Sequence, residues 1–177
     1  MKYVDYYKYD EEAIRKLQAS GSPEKLISAM IWTVYSSGDY EKSKTLVSKN
    51  LNSSDKDLMV KAIQMIGNLA RIYSKIDLHQ LNILEELIHS DKQYYIEEPL
   101  EDIWIFYFRQ YPQRMDTYQK SHPTIYHFWW CHKITESYIE TDPEQGKIIL
   151  TNSLTKSTNK YVYKMVITLI EHIEMFK

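Results

Sequence analysis

Glycine and proline are scarce, at four and five among 177 residues. A β-sandwich or barrel needs a turn about every 8–12 residues, and tight turns draw on those two residue types, so the shortage argues against both. Cysteine is nearly absent. Cys131 stands alone, which leaves no internal disulfide and fits a reducing compartment. No apolar run approaches the roughly 18 residues of a membrane span. The N-terminal stretch MKYVDYYKYDEE has no apolar core, so it does not read as a secretory signal. Neither charge sign dominates: 22 basic against 24 acidic residues give a net charge of −2. No global basic field is available to hold phosphate backbones, which disfavours direct nucleic-acid binding. The expectation is a cytoplasmic chain with no membrane partner and no nucleic-acid partner.

What is plentiful is tyrosine, with sixteen copies. Its ring can be buried while its hydroxyl stays wet, which suits half-buried surfaces and interfaces. An AT-rich genome would enrich tyrosine equally well. Residues 1–177 fit a single domain or one short repeat array, long enough to bury roughly 70% of the unfolded chain's surface.

Helical periodicity runs through the chain. A first helix is expected over Asp10 to Ala19, ending at Gly21. A second opens at Ser22-Pro23, an N-cap followed by proline at the first helical position. It carries Leu26, Ile27, Met30, Ile31 and Val34, and stops at Gly38. A third starts after Asp39 with Leu46, Val47 and Leu51. Asn52-Ser53-Ser54-Asp55 is a break and a new cap. The fourth places Leu58, Ala62, Met65, Ile66, Leu69, Ala70 and Tyr73 on one side. Gly67 in its middle costs about 1 kcal/mol against alanine, an expense that close approach of another helix would offset.

A fifth helix follows Asp77 with Leu81, Leu84, Leu87 and Ile88. A sixth carries Ile96, Leu100, Ile103 and Tyr107 and stops before Pro112. Gln113 to Ser121 holds a short helix. The seventh begins at Pro123, the eighth near Asp142-Pro143. The ninth contains Val162, Met165, Val166, Leu169, Ile173 and Phe176. Helix starts recur in pairs every 30–40 residues or so, as in a stack of hairpins. A compact bundle is the structural alternative.

Within residues 58–108 the run Ile66-Gly67-Asn68-Leu69-Ala70-Arg71-Ile72-Tyr73, then Ile76-Asp77, resembles a bacterial HEAT-like repeat. A Leu-x-x-Leu pattern follows between Leu81 and Leu87. The acidic start Glu97-Glu98-Pro99-Leu100-Glu101-Asp102-Ile103 leads into Trp104-Ile105-Phe106. Pro99 departs from the small helix former usual there and marks a late start or a kink. The match covers about a quarter of the chain; residues 123–177 rest on periodicity alone. Proteins with this pattern are often stand-alone products of toxin–immunity loci. The resemblance implies a contact-dependent-inhibition type immunity protein that binds one cognate toxin domain, one to one, and covers its active site.

The densest charge lies between Glu85 and Asp102. Glu85, Glu86, Asp91, Glu97, Glu98, Glu101 and Asp102 face only Lys92 along the sequence. Such a patch steers onto a basic surface, for example a nuclease cleft. Tyr94, Tyr95 and Trp104 beside it would supply desolvated anchors. The plain alternative is a solvated face whose acids favour a helix N-terminus. Glu97 and Glu101 lie one helical turn apart, but an acid–base dyad needs a pocket that drives their pKa values apart. His127, Cys131 and His132 look metal-like, yet His132 sits roughly 140° around a helix from His127. No second ligand pair stands at zinc spacing, so packing beside Trp129 and Trp130 is expected. Nothing in the sequence nominates a base for a nucleophilic Cys131. Tyr3, Tyr6, Tyr7 and Tyr9 either cap the first repeat or touch a partner, and capping is the preferred expectation.

The expected architecture is all-α, a right-handed α-solenoid of degenerate helical hairpins with about 8–10 helices. No catalytic residues, metal or cofactor are expected. The partner-binding candidates are Glu97, Glu98, Glu101, Asp102, Tyr94, Tyr95 and Trp104. A non-catalytic scaffold for another bacterial complex is the alternative function. A helical-repeat DNA glycosylase is a third, disfavoured by the balanced charge.

Overall fold

The computed structural model describes residues 10–154 and 160–175, and all regular elements among them are helical. Tyr3, Tyr6, Tyr7, Tyr9 and Phe176 lie outside the described residues. The α-helices are α1 (Glu11–Ala19), α2 (Pro23–Ser36), α3 (Tyr40–Asn50), α4 (Lys56–Tyr73), α5 (Leu78–Leu87), α6 (Glu97–Ile103), α7 (Pro123–Tyr138), α8 (Pro143–Leu154) and α9 (Lys160–Glu174). A 3₁₀ turn spans Gln93–Tyr95 and a longer 3₁₀ segment spans Pro112–Tyr118.

The starts are set by one repeated device. Asp10, Asp39, Asp55 and Asp77 each accept the backbone N–H three residues on, at 3.0, 3.0, 2.9 and 3.2 Å. Each such cap stabilises its helix by about 1 kcal/mol. Proline opens α2, α7 and α8, where the missing N–H has no intrahelical partner to lose. Gly21 and Gly38 terminate α1 and α2 at φ +67 and +66°. α4 ends without a glycine: Ser74 takes the left-handed conformation at φ 49° and donates its N–H to Ala70.

α2, α4 and α6 pack side by side as a row, with α1 and α3 laid against it. α7, α8 and α9 pack mutually, and α7 joins them to the row through α5, α6 and the 3₁₀ segment. One apolar core continues from Met30 through Ile63, Leu84, Phe108 and Trp129 to Ile173. Trp129 seals its centre, donating its indole N–H to the Leu100 carbonyl at 3.0 Å.

The expected sixth helix is not α-helical to its end. It changes at Trp104 into a π turn over Trp104–Phe108, closed by the Arg109 N–H on the Trp104 carbonyl at 2.8 Å. The wider turn keeps Trp104 and Phe108 inside while Ile105 and Phe106 face outward.

Candidate partner-binding surface

The close contact of α4 with α6 organises the surface. Gly67 has no side chain because a Cβ there would stand 2.8 Å from the Pro99 Cα and 2.8 Å from Asp102 Oδ2. The expense of a mid-helix glycine is therefore offset as the sequence suggested. One turn along α4, the Arg71 guanidinium donates to Asp102 Oδ1 at 2.6 Å. Its carbon lies 5.2 Å from the Phe106 ring centre. Arg71 is thus fixed by a buried carboxylate and an aromatic face, yet 44% of its side chain remains exposed. Its bond to Asp102 raises its pKa above an already high ordinary value, so it stays charged.

Asn68 extends the arrangement onto α2. Its Nδ2 donates to the Gln64 carbonyl at 3.2 Å, and its Oδ1 accepts from the Tyr35 hydroxyl at 2.5 Å. Tyr35 is 50% exposed and Phe106 40%. Burial of its hydroxyl raises the Tyr35 pKa, so the phenol stays protonated and keeps donating. Tyr35, Arg71 and Phe106 therefore form an oriented set spanning α2, α4 and the π turn.

The residues singled out in the sequence divide into two groups. Glu97, Glu98 and Glu101 are exposed on α6. Gln64 Nε2 reaches Glu98 at 3.4 Å. The pKa of Glu101 is raised from its ordinary value, first by partial desolvation of its carboxyl and then by Glu97, Asp102 and Glu98 around it. These carboxylates repel one another. Tyr94 is 68% exposed, and Tyr95 is half-buried with the Lys56 ammonium 5.9 Å from its ring centre.

Asp102 and Trp104 are corrections. Asp102 is buried against Gly67 and paired with Arg71, so it faces the α4–α6 contact rather than solvent. Trp104 is 2% exposed, and its indole N–H donates to Glu136 Oε1 at 3.0 Å. Neither can anchor a partner. Glu85 also leaves the acidic patch: it accepts the N–H groups of Thr124 and Ile125, at 2.8 and 2.9 Å, and caps α7. In three dimensions the acids meet more bases than Lys92. Arg71 arrives from α4, and Lys160 and Lys164 of α9 line a groove with Glu97.

The histidine–cysteine set packs as expected from its helical spacing. Burial drives the Cys131 thiol up to about 12 and the His132 imidazole down to about 4. The His127 ring stacks on Trp130 at 5.8 Å, and the His132 ring lies 4.6 Å from Phe128. Among the described residues no group of three or more His, Cys, Asp or Glu side chains is placed to hold a metal ion. Among them, too, no helix is long and apolar enough to cross a membrane.

Sequence reasoning missed Tyr35 and Phe106. Phe106 was visible only as part of an apolar run, and the π turn that exposes it has no sequence mark. Tyr35 meets its partner 33 residues away, beyond the reach of local periodicity. Comparison with family models, curated proteins and solved structures yields no match.

Proposed function

We propose that this chain is a non-catalytic binding protein built of degenerate HEAT-like hairpins in a right-handed α-solenoid. We propose further that it neutralises a cognate toxin domain by covering its active site. The packing of α1 on α2 and of α3 on α4, with α2 beside α4, supports the solenoid reading, because the second helices of stacked hairpins pack in that way. The immunity reading draws its support from the repeat-like motif over residues 66–106.

The observation that carries the binding reading is the set of Tyr35, Arg71 and Phe106. Tyrosine, arginine and aromatic residues dominate the energetics of protein interfaces. Here each is held in place before any partner arrives: Tyr35 by Asn68, Arg71 by Asp102, and Phe106 by the stacked guanidinium. Preorganisation lowers the entropy lost on association. Glu97, Glu98 and Glu101 flank this set on the next helix. Exposed and without a direct ion pair among the described residues, they suit a basic surface such as a nuclease cleft. An interface of standard size, about 1,600 Å² in total, would cover both features.

The test is reconstitution with the product of the adjacent reading frame. An encoded toxin domain inhibited at one-to-one stoichiometry supports the proposal. A neighbour that binds this chain but keeps full activity would leave the scaffold reading in its place.

A further inference from the structure

A groove of about 520 Å³ lies between the 3₁₀ turn Gln93–Tyr95, the start of α6 and the exposed face of α9. Its rims carry Tyr94 and Tyr163, both well exposed rings on separate elements. Lys160, Lys164 and Thr168 follow one another along α9 at intervals of one turn. Met165 lies at the floor, buried. The Thr168 hydroxyl bonds back to the Lys164 carbonyl at 3.3 Å, and the residue lines the groove. Among the described residues Glu97 is the one carboxylate in the lining.

The two lysines dominate the charge on the α9 side of this groove. Lys160 and Lys164 are like charges one helical turn apart, an arrangement that repels. Among the described residues no carboxylate forms an ion pair with either. Glu97 lines the same groove, but it forms no ion pair with either lysine. An occupant that sets a carboxylate on the α9 side relieves the lysine pair. An apolar side chain next to that carboxylate would lie between the tyrosine rings and along the lysine stems.

The groove is continuous with the exposed α6 acids through Glu97, so whatever covers one covers part of the other. That continuity favours a polypeptide over a small metabolite, which would fill the groove alone. We infer that the groove receives an acidic segment of the binding partner, with aspartate or glutamate next to an aromatic or aliphatic residue. The inference rests on the partner-binding reading. It adds that the partner is not uniformly basic: it sets a base against α6 and an acid against α9, and the alternation fixes its orientation.

The test uses the full chain carrying a photoreactive benzoylphenylalanine, at Thr168 in one variant and at Phe106 in another. Each is irradiated in cells that express the neighbouring locus, and the cross-linked peptide is sequenced by mass spectrometry. The expected Thr168 adduct is a partner peptide with at least two acidic residues beside an aromatic or aliphatic one. Adding Lys160→Glu and Lys164→Glu should reduce that adduct tenfold or more while the Phe106 adduct persists. Circular dichroism checks that the variants fold. A Phe106 adduct without a Thr168 adduct overturns the groove assignment and leaves the binding reading standing. So does a Thr168 adduct to a basic segment, or one indifferent to the lysine reversal. No adduct at either position overturns the binding reading itself.

Discussion

Replacing Gly67 by alanine tests the contact on which the surface is built. In an isolated helix the change would stabilise by about 1 kcal/mol. Here the new methyl carbon would sit 2.8 Å from the Pro99 Cα, 2.8 Å from Asp102 Oδ2 and 2.9 Å from the Asp102 Cβ. Two of those three atoms are fixed to the α6 backbone. Rotating one flexible side chain therefore cannot relieve the clash, and the helices must separate. Overpacking of this kind costs about 1–3 kcal/mol. Movement of Asp102 also weakens its bond to the half-exposed Arg71, adding on the order of 0.5–1 kcal/mol. Set against the gain in propensity, Gly67→Ala is expected to lower stability by about 1–2 kcal/mol, a fall of several degrees in melting temperature for a chain of this size. Urea unfolding followed by circular dichroism measures the difference through the midpoint at constant slope. Equal or greater stability would refute the close approach of α4 and α6, and with it the placement of Asp102 and Arg71.

His132 predicts an acid sensitivity. Its folded pKa is depressed to about 4 by burial, against about 6.5 unfolded, so the neutral ring is favoured in the fold. Its contribution is fully present above about pH 6.5 and is lost as pH falls toward 4, for a total on the order of 3 kcal/mol. His132→Leu should flatten that part of the stability–pH curve; a curve as steep as the wild type's would refute the assignment. Ser74→Gly should stabilise by about 0.5–1 kcal/mol, because only glycine takes φ 49° without strain, and a lower melting temperature would contradict this. Reversing Glu97, Glu98 and Glu101 to lysine should slow association with a basic partner about tenfold at low salt, as stopped-flow mixing would detect. An unchanged rate would remove these acids from the docking face. Asp102 is left out because its reversal would bury a lysine against Gly67.

The helix starts were legible because they rest on local chemistry. Aspartate before Glu11, Tyr40, Lys56 and Leu78, and proline at 23, 123 and 143, act within one turn of themselves. Gly67 was legible for a related reason: an unfavourable residue mid-helix must be offset from outside. The candidate surface was legible only in part. Glu97, Glu98, Glu101 and Tyr94 are exposed as expected from an acidic helix start. Whether a carboxylate on a short helix faces water or a neighbour depends on rotation about the axis, and a one-position difference separates Glu101 from Asp102. Glu85 reads as another surface acid until α7 brings its N-terminus against it, 39 residues on. Trp104 was read as an anchor because an amphipathic tryptophan suits interfaces, but Glu136, 32 residues away, already satisfies its N–H.

The central claim is that Tyr35, Arg71 and Phe106 form a prearranged docking surface. It is tested most directly by titration calorimetry of the cognate partner domain against wild type and the Arg71→Ala/Phe106→Ala double variant. The account predicts a single site and a loss of affinity of about 30-fold or more, the scale of an interface hot spot. A folded double variant with unchanged affinity would contradict it.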